Sequence, residues 1–171
     1  EDWQIFITTD HGRDKETGKG HGGQSDRERL TWIVTDADDI NDYFKNGTPG
    51  IVDILPAMLR SLEISPEPNR AFEIDGVSIT GPLSVSDLKA NIQGKYLTLN
   101  WKNHNRDKKL KVYLSTENGF KNGIYDHYKL VKKVKGNTNS TKIDLDKYPS
   151  HFYKIVIEGK HNSINAWVMA K

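Results

Sequence analysis

From about Leu83 to the end of the chain, apolar and polar side chains alternate with a period of two. Leu97, Leu99 and Trp101 form one such run, and Leu110 begins a second. A period of two places successive side chains on opposite faces of a strand, so that one face is buried and the other is exposed. Further strands are predicted at 128–134, 141–145, 152–158 and 164–169. About seven short strands with Asn- and Gly-rich turns between them favour an all-β sandwich.

The charge of the chain changes sign near the point where this alternation begins. Residues 1–82 carry 8 Lys and Arg against 16 Asp and Glu, a net charge of −8, whereas residues 83–171 carry 17 against 7, a net charge of +10. Such a change predicts a domain boundary, with one domain at 1–82 and a second at 83–171. The sequence has no cysteine, which excludes a disulfide framework and leaves the redox compartment open. No apolar run is long enough to cross a membrane.

The first 82 residues have the pattern of an α/β fold. Residues 3–7 form an apolar run typical of a strand that is buried on both faces. Asp53 is a good helix N-cap, and Pro56 falls in the first turn, where its missing N–H is tolerated. The helix that follows is predicted to bury a stripe of apolar residues at helical spacing, namely Leu55, Met58, Leu59 and Leu62.

Two histidines follow the first predicted strand within a short, glycine-rich stretch. Asp10 and His11 stand where that strand ends, and His21 lies ten residues after His11 among glycines. Ligands and ions bind at the carboxyl edge of open α/β sheets, and Asp oxygen and His nitrogen suit zinc. The alternative interpretation of Asp10 and His11 is a simple turn. Arg13 and Lys19 lie close enough to contact a substrate phosphate, with solvated loop charges as the alternative.

Three motifs in order resemble one enzyme superfamily. Asp10-His11-Gly12 followed by Gly20-His21-Gly22-Gly23 resembles the C-terminal metal-binding segment of the alkaline phosphatase superfamily, in its type I phosphodiesterase and nucleotide pyrophosphatase branch. Asp53-Ile54-Leu55-Pro56 is similar to the Asp-Ile-x-Pro-Thr helix near the end of those catalytic domains, with Ala57 in place of Thr. Asp75-Gly76-Val77-Ser78-Ile79 is similar to a run that often closes the domain. The resemblance implies that residues 1–82 are the C-terminal part of an alkaline-phosphatase-like sheet with helices.

The same resemblance implies a chemistry. The complete enzyme would hold two divalent ions, expected to be zinc, and Asp10, His11 and His21 would be three of their ligands. The implied activity is a hydrolase of phosphodiesterase or pyrophosphatase type, whose Ser or Thr nucleophile and remaining ligands lie earlier in the polypeptide. The family's Asp-x-x-x-His pair is not found in this sequence. We therefore expect the C-terminal portion of a larger enzyme, inactive without its missing N-terminal part. A phosphomutase of the same superfamily is the alternative activity.

The second domain also resembles a known family. Leu145, Pro149 and Tyr153, with Trp101 on an earlier strand, are similar to the fibronectin type III pattern. The resemblance implies that Trp101 packs in the core and that Tyr153 forms a tyrosine corner.

This second domain has two alternative interpretations. It is either a structural appendage that docks on the acidic domain through opposite charge, which we favour, or a non-catalytic module that binds glycan or a protein surface. The aromatic residues expected to stack on sugar rings are Tyr113, Tyr125 and Tyr128. No nucleic-acid partner is expected, because the lysines of 129–135 form only a short basic strand with little Arg. Glu1 in place of Met indicates a removed signal peptide, which predicts an extracytoplasmic location, periplasmic or secreted.

Overall fold

The computed structural model describes residues 3–105, 107–119 and 122–170, so Glu1 lies outside the described residues. A two-stranded antiparallel sheet contains β1 (Phe6–Thr8) and β2 (Ile33–Thr35). A three-stranded antiparallel sheet has the order β3 (Val85–Gln93), β4 (Tyr96–Asn103), β7 (Ser140–Asp144). A four-stranded antiparallel sheet has the order β6 (Lys129–Lys135), β5 (Lys109–Ser115), β8 (Phe152–Glu158), β9 (Ser163–Met169).

Short helices connect the first strands and lead into the larger sheets. The α-helices are α1 (Asp26–Arg29), α2 (Asp42–Asn46), α3 (Ile54–Ser61) and α4 (Pro68–Ala71). Ile51–Asp53 and Leu145–Lys147 form 3₁₀ turns. The fold is therefore rich in antiparallel β-structure, and the α-helices of the described residues all lie in the first half of the chain.

The three-stranded and four-stranded sheets enclose a common core, and we call this pair of sheets the sandwich. Leu97 and Leu99 of β4 are fully buried, as are Val112 of β5 and Ile155 of β8, and all four belong to one hydrophobic cluster. The β-rich second half of the fold prediction is thus confirmed. The alternation predicts each strand of the sandwich except β3, whose register shifts at a bulge after Ser86 and so interrupts the pattern.

The two aromatic residues that resemble the fibronectin pattern have the packing roles predicted for them. Trp101 is 5% exposed, and its indole Nε1 donates to Asn103 Oδ1. The Tyr153 hydroxyl donates to the Tyr148 carbonyl oxygen at 2.9 Å and accepts from the Ser150 N–H at 3.0 Å. The tyrosine corner is therefore confirmed: a buried side chain ties β8 to the loop that precedes it.

The first strand is shorter and more exposed than the sequence predicts. The predicted strand buried on both faces is replaced by three residues paired only with β2. Phe6 and Ile33 pack against the core, whereas Ile7 and Val34, which face each other across the pair, are 51% and 56% exposed. The prediction is wrong because an apolar run specifies strand and burial tendency, but one face of this sheet has no covering layer within the described residues.

The helix predicted after Asp53 exists, but its apolar stripe is not buried. Leu55, Met58 and Leu62 are 45–63% exposed, and the buried residue of α3 is Ala57. Asp53 precedes α3 without capping it through its side chain. Its buried carboxylate instead accepts from three groups that lie on separate segments, namely the Gly50 N–H, the Val77 N–H and the Tyr43 hydroxyl.

The acidic part of the chain packs directly on the sandwich. Tyr43, Ala57, Val77 and Ile79 belong to the same hydrophobic cluster as the sandwich core, so this cluster has members on both sides of residue 82. The segment 68–76 crosses the outer surface of the four-stranded sheet, where the Asn165 amide donates to the carbonyl oxygens of Phe72 and Ile74. The domain boundary at 82 stays a prediction, and the two parts share a core.

Candidate functional site

The segment after β1 places Asp10 beside His11. The Asp10 Oδ2 atom lies 3.3 Å from His11 Nε2, and the backbone N–H of His11 donates to Asp10 Oδ1 at 2.9 Å. The Asp10 side chain is 83% exposed and the His11 side chain 33%. One carboxylate oxygen and one imidazole nitrogen therefore stand together at an accessible surface, which is the donor chemistry that zinc prefers.

A backbone contact fixes which nitrogen of His11 can bind an ion. The Nδ1 atom lies 2.7 Å from the Gly12 carbonyl oxygen. Because a carbonyl oxygen only accepts, Nδ1 carries a proton, and in the neutral ring the lone pair is then on Nε2, the nitrogen beside Asp10. Metal-binding histidines commonly donate their second ring nitrogen to a carbonyl in this way, which fixes both the tautomer and the ring orientation.

The glycine-rich loop returns His21 to the same place. The His11 and His21 rings stack with their centroids 4.4 Å apart and their planes inclined by 23°. The structure therefore brings together all three residues that the sequence identifies as candidate ligands. Imidazole lone pairs lie in the ring plane, so two nearly parallel rings direct them along separate lines. The two rings therefore present their ring nitrogens side by side rather than face to face.

Asp14 holds this loop closed. Its carboxylate accepts from the Thr17 N–H, the Thr17 hydroxyl and the Gly20 N–H, at 2.6–2.7 Å. The Asp14 N–H donates to the Gly20 carbonyl oxygen at 2.9 Å, which joins the residues preceding His21 to those following His11. These bonds, those from Thr17 first, hold the pKa of the Asp14 carboxyl well below its usual range.

Helix α1 supports the other side of the loop. Ser25 and Glu28 form a reciprocal capping box, and the Glu28 carboxylate also accepts from the Gly23 N–H at 2.8 Å. The Gly12 N–H donates to the Glu28 carbonyl oxygen, and a Cβ at position 12 would lie 1.9 Å from the Arg27 carbonyl oxygen. Only glycine therefore fits beside His11 without moving α1.

The two predicted phosphate contacts differ in how they are placed. The Arg13 guanidinium donates to the Lys19 carbonyl oxygen at 3.0 Å and thereby helps to close the loop. Both side chains belong to exposed residues next to the histidines.

The supporting roles of Asp14 and Glu28 were not predicted from the sequence. Two sequence signals point to them. Asp14 stands three residues before Thr17, as in a local turn closed by a side chain, and Ser25 and Glu28 have the Ser-x-x-Glu spacing of a capping box.

Within the described ranges, no group of three or more His, Cys, Asp or Glu residues is arranged to hold one metal ion. Asp10 and His11 are in contact, and the His11 ring stacks on the His21 ring. The three side chains therefore lie together without forming a set of three protein ligands around one position, which a catalytic zinc site needs.

The aromatic residues expected to bind sugar rings are mostly engaged within the protein. The Tyr113 and Tyr128 rings both contact Phe72, at centroid distances of 4.9 Å and 5.4 Å. The Tyr128 hydroxyl donates to Glu73 Oε1. Tyr125 is half-exposed, but its hydroxyl accepts from Arg70 Nε. These rings therefore join the acidic segment 68–76 to the four-stranded sheet.

Comparison with known proteins gives little beyond this geometry. No protein-family model matches the chain, and no curated protein is significantly similar to it. Among solved structures, the chain is similar to the crystal structure of the Clostridium perfringens spore cortex lytic enzyme SleM, with 18% sequence identity and a TM-score of 0.39. The match covers 54% of this chain and 29% of that one, so it spans less than a third of that enzyme. At this TM-score the similarity carries no functional argument.

In the part of the chain that the structure describes, no helix combines the length and the apolar character needed to cross a bilayer.

Proposed function

We propose that this chain is the C-terminal portion of a two-metal phosphoesterase of phosphodiesterase or pyrophosphatase type. The observation that carries the proposal is the contact between His11 and His21, with the Asp10 carboxylate against His11 Nε2. Asp10 and His11 are adjacent in sequence, His21 follows ten residues after His11, and the three side chains meet at one accessible surface. The motifs of the alkaline phosphatase superfamily supply the chemical interpretation.

The oxygen and nitrogen donors of these residues are of the types that zinc, the ion expected for this function, prefers. Asp10 and His11 would bind one ion, and His21 would bind the other. Bound divalent ions stabilise the negative charge on a transferring phosphoryl group. The Gly12 carbonyl holds His11 in its binding tautomer, while Asp14 and Glu28 fix the loop that carries His21.

The proposal assigns the nucleophile and the missing ligands to polypeptide outside this chain. Exposed apolar residues support that assignment, since the uncovered face of the β1–β2 pair and the uncovered stripe of α3 both belong to the acidic part. In the proposed enzyme these faces are covered by the remainder of an α/β catalytic domain. The sandwich is then a structural appendage, which the contacts of 68–76 with the four-stranded sheet support.

Zinc binding by the full chain tests the proposal. We expect isothermal titration with Zn²⁺ to show binding that weakens at least tenfold in H11A and in H21A, because each change removes one nitrogen ligand. Asp10→Asn should weaken binding in the same direction, because an amide oxygen replaces a carboxylate.

H151A is the matched control, since His151 is an exposed histidine on a loop remote in sequence from the site. Circular dichroism establishes that each variant is folded. Equal zinc affinity in the wild-type chain and in the H11A/H21A double variant would contradict the proposal. So would a loss in H151A as large as that in H11A.

A further inference from the structure

Strands β5 and β6 together carry six lysines and no acidic residue. In the antiparallel register Lys109 lies directly opposite Lys135, and Lys111 lies directly opposite Lys133. On β5 the two lysines alternate with Leu110 and Val112, which are buried in the core. These four lysines, which we call the lysine face, therefore occupy the solvent side of the sheet as two adjacent rows.

Like charges directly opposite each other in a sheet are unfavourable. The face contains two such pairs in succession, about 7 Å apart along the strands. Neighbouring carboxylates relieve only part of the repulsion between these lysines. Lys111 is paired with Glu158 at 2.8 Å, whereas Lys109, Lys133 and Lys135 have no carboxylate within ion-pair distance among the described residues. The arrangement therefore concentrates positive charge that the fold leaves unneutralised.

Protection of a sheet edge does not account for this arrangement. Lysines on β6 could prevent edge-to-edge association, because β6 is an edge strand. Lys109 and Lys111, however, lie on β5, which is paired on both sides. The opposite edge strand, β9, carries no charged residue at all. Charge in this sheet is thus not distributed according to which strands are exposed at an edge.

Docking of the acidic part does not account for it either. The ion pair between the segment 68–76 and the four-stranded sheet uses Lys154 of β8, which contacts Glu73 at 2.8 Å. Lys132, also on β6, directs its amine to the Lys142 carbonyl oxygen, away from the four. The acidic residues of 1–82 that the structure describes therefore form no ion pair with the lysine face, which stays available to an external anion.

We propose that the lysine face binds a linear acidic polysaccharide bearing one carboxylate per sugar, a polyuronate. Separate lysines on flexible stems suit separate single charges along a polymer, whereas paired recognition of phosphate or base edges favours arginine, which β5 and β6 lack. The lysine face spans about 7 Å along the strands, so a thin chain can contact its lysines without covering the rest of the sheet. Segment 68–76, which includes Glu73 and Asp75, lies on the same surface of the sheet, where Phe72 contacts Tyr113 of β5 at 4.9 Å. A bilayer or a nucleic acid duplex is broader than a polysaccharide chain and would also meet these carboxylates.

This inference is independent of the metal site, and its test uses the full chain with polygalacturonate as the probe. Affinity electrophoresis and isothermal titration should show binding that weakens as NaCl rises from 20 to 150 mM, because salt screens the attraction between exposed lysines and carboxylates. The triple variant K109Q/K133Q/K135Q should bind at least tenfold more weakly. Lys111 is left unchanged because it is paired with Glu158.

The control variant K89Q/K102Q/K147Q removes three positive charges from other exposed positions and should bind as the wild type does. Neutral dextran should not bind to any variant. Equal losses in the two triple variants would overturn the proposal, because net charge alone would then explain binding. Tighter binding to duplex DNA or to phosphatidylserine vesicles at the same salt concentration would also overturn it.

Discussion

His104 ends a short hydrogen-bond chain beside the bulge of β3. Its Nε2 atom lies 2.7 Å from the Ser86 hydroxyl oxygen, and that hydroxyl donates to Asp87 Oδ2 at 2.6 Å. Because the hydroxyl has one proton, which goes to Asp87, Nε2 must donate to Ser86. Asp87 has a φ of 57°, which is unusual for a residue with a side chain. Local hydrogen bonds thus hold a strained residue in place.

This arrangement predicts a pH dependence that resides in one histidine. Burial first, and Lys102 second, lower the pKa of His104, while Asp87 and Asp42 oppose the shift. A lowered pKa means that the fold favours the neutral ring. The contribution of His104 to stability is therefore complete above its ordinary pKa of 6.5 and is lost as the pH falls towards its value in the fold.

We expect the free energy of unfolding to fall less between pH 7 and pH 5 in H104Q than in the wild type, because glutamine keeps an N–H donor and does not titrate. Urea unfolding at a series of pH values measures the difference. H151Q, which changes an exposed histidine, should keep the wild-type pH dependence. If H104Q keeps the wild-type pH dependence too, the half-buried His104 has no such role.

Secondary-structure elements show what a sequence pattern can and cannot predict. The strands of the sandwich are predictable because their alternation and their burial share one period. The stripe on α3 is equally regular, yet Leu55 and Met58 are exposed. A periodic pattern identifies an apolar face, but whether that face is buried depends on which other segments pack against it. The bulge in β3 is hidden for a different reason, since it arises from the backbone of Asp87.

A pair of substitutions in α3 tests this description. Ala57 is completely buried, so A57L should overfill the core and lower the free energy of unfolding by about 1–3 kcal/mol. Leu55 is half-exposed, so L55Q should change it by less than about 0.5 kcal/mol. Urea denaturation of the full chain measures both. A larger loss in L55Q than in A57L would show that the stripe is buried by association in solution.

At the scale of the whole molecule, one lysine links the acidic part to the sandwich. Lys154 contacts both the Asp126 carboxylate, which is 2% exposed, and Glu73, which is 37% exposed. Burial raises the pKa of the Asp126 carboxyl, but Lys154 and the Gly119 N–H outweigh it and the net shift is downward. Of these two ion pairs, the one between Lys154 and Glu73 joins the acidic part to the sandwich.

Replacement of this lysine should be more damaging than replacement of its exposed partner. K154M leaves the Asp126 carboxylate buried without a cation, and we expect a loss of about 2–4 kcal/mol in the free energy of unfolding. E73Q should lose less than about 1 kcal/mol, because exposed ion pairs contribute little. Limited proteolysis should also cleave 68–76 faster in K154M. Equal stability of the two variants would contradict the buried role of Lys154.

In the candidate site, the three candidate ligands could be identified from the sequence, but the residues that hold them in place could not. Asp10, His11 and His21 are recognisable from residue type and spacing, and the structure brings them together. The bonds from Asp14 and Glu28 depend on loop geometry that spacing does not specify. The lysine face was hidden for a related reason: which lysines are neighbours depends on the register between β5 and β6, which sequence alone leaves open.

The shared hydrophobic cluster limits how this protein can be divided and recombined. Asn41 donates through its backbone to Ile79 and through its side chain to Ser78, and Ile40 forms a bridge with Thr80. A cut at residue 82 would remove Tyr43 and Ile79 from the cluster and expose the core residues of the sandwich that pack against them. A transferable module that keeps its full interior must therefore begin near residue 40, so gene fusions that preserve it should carry a portion of the acidic region with it.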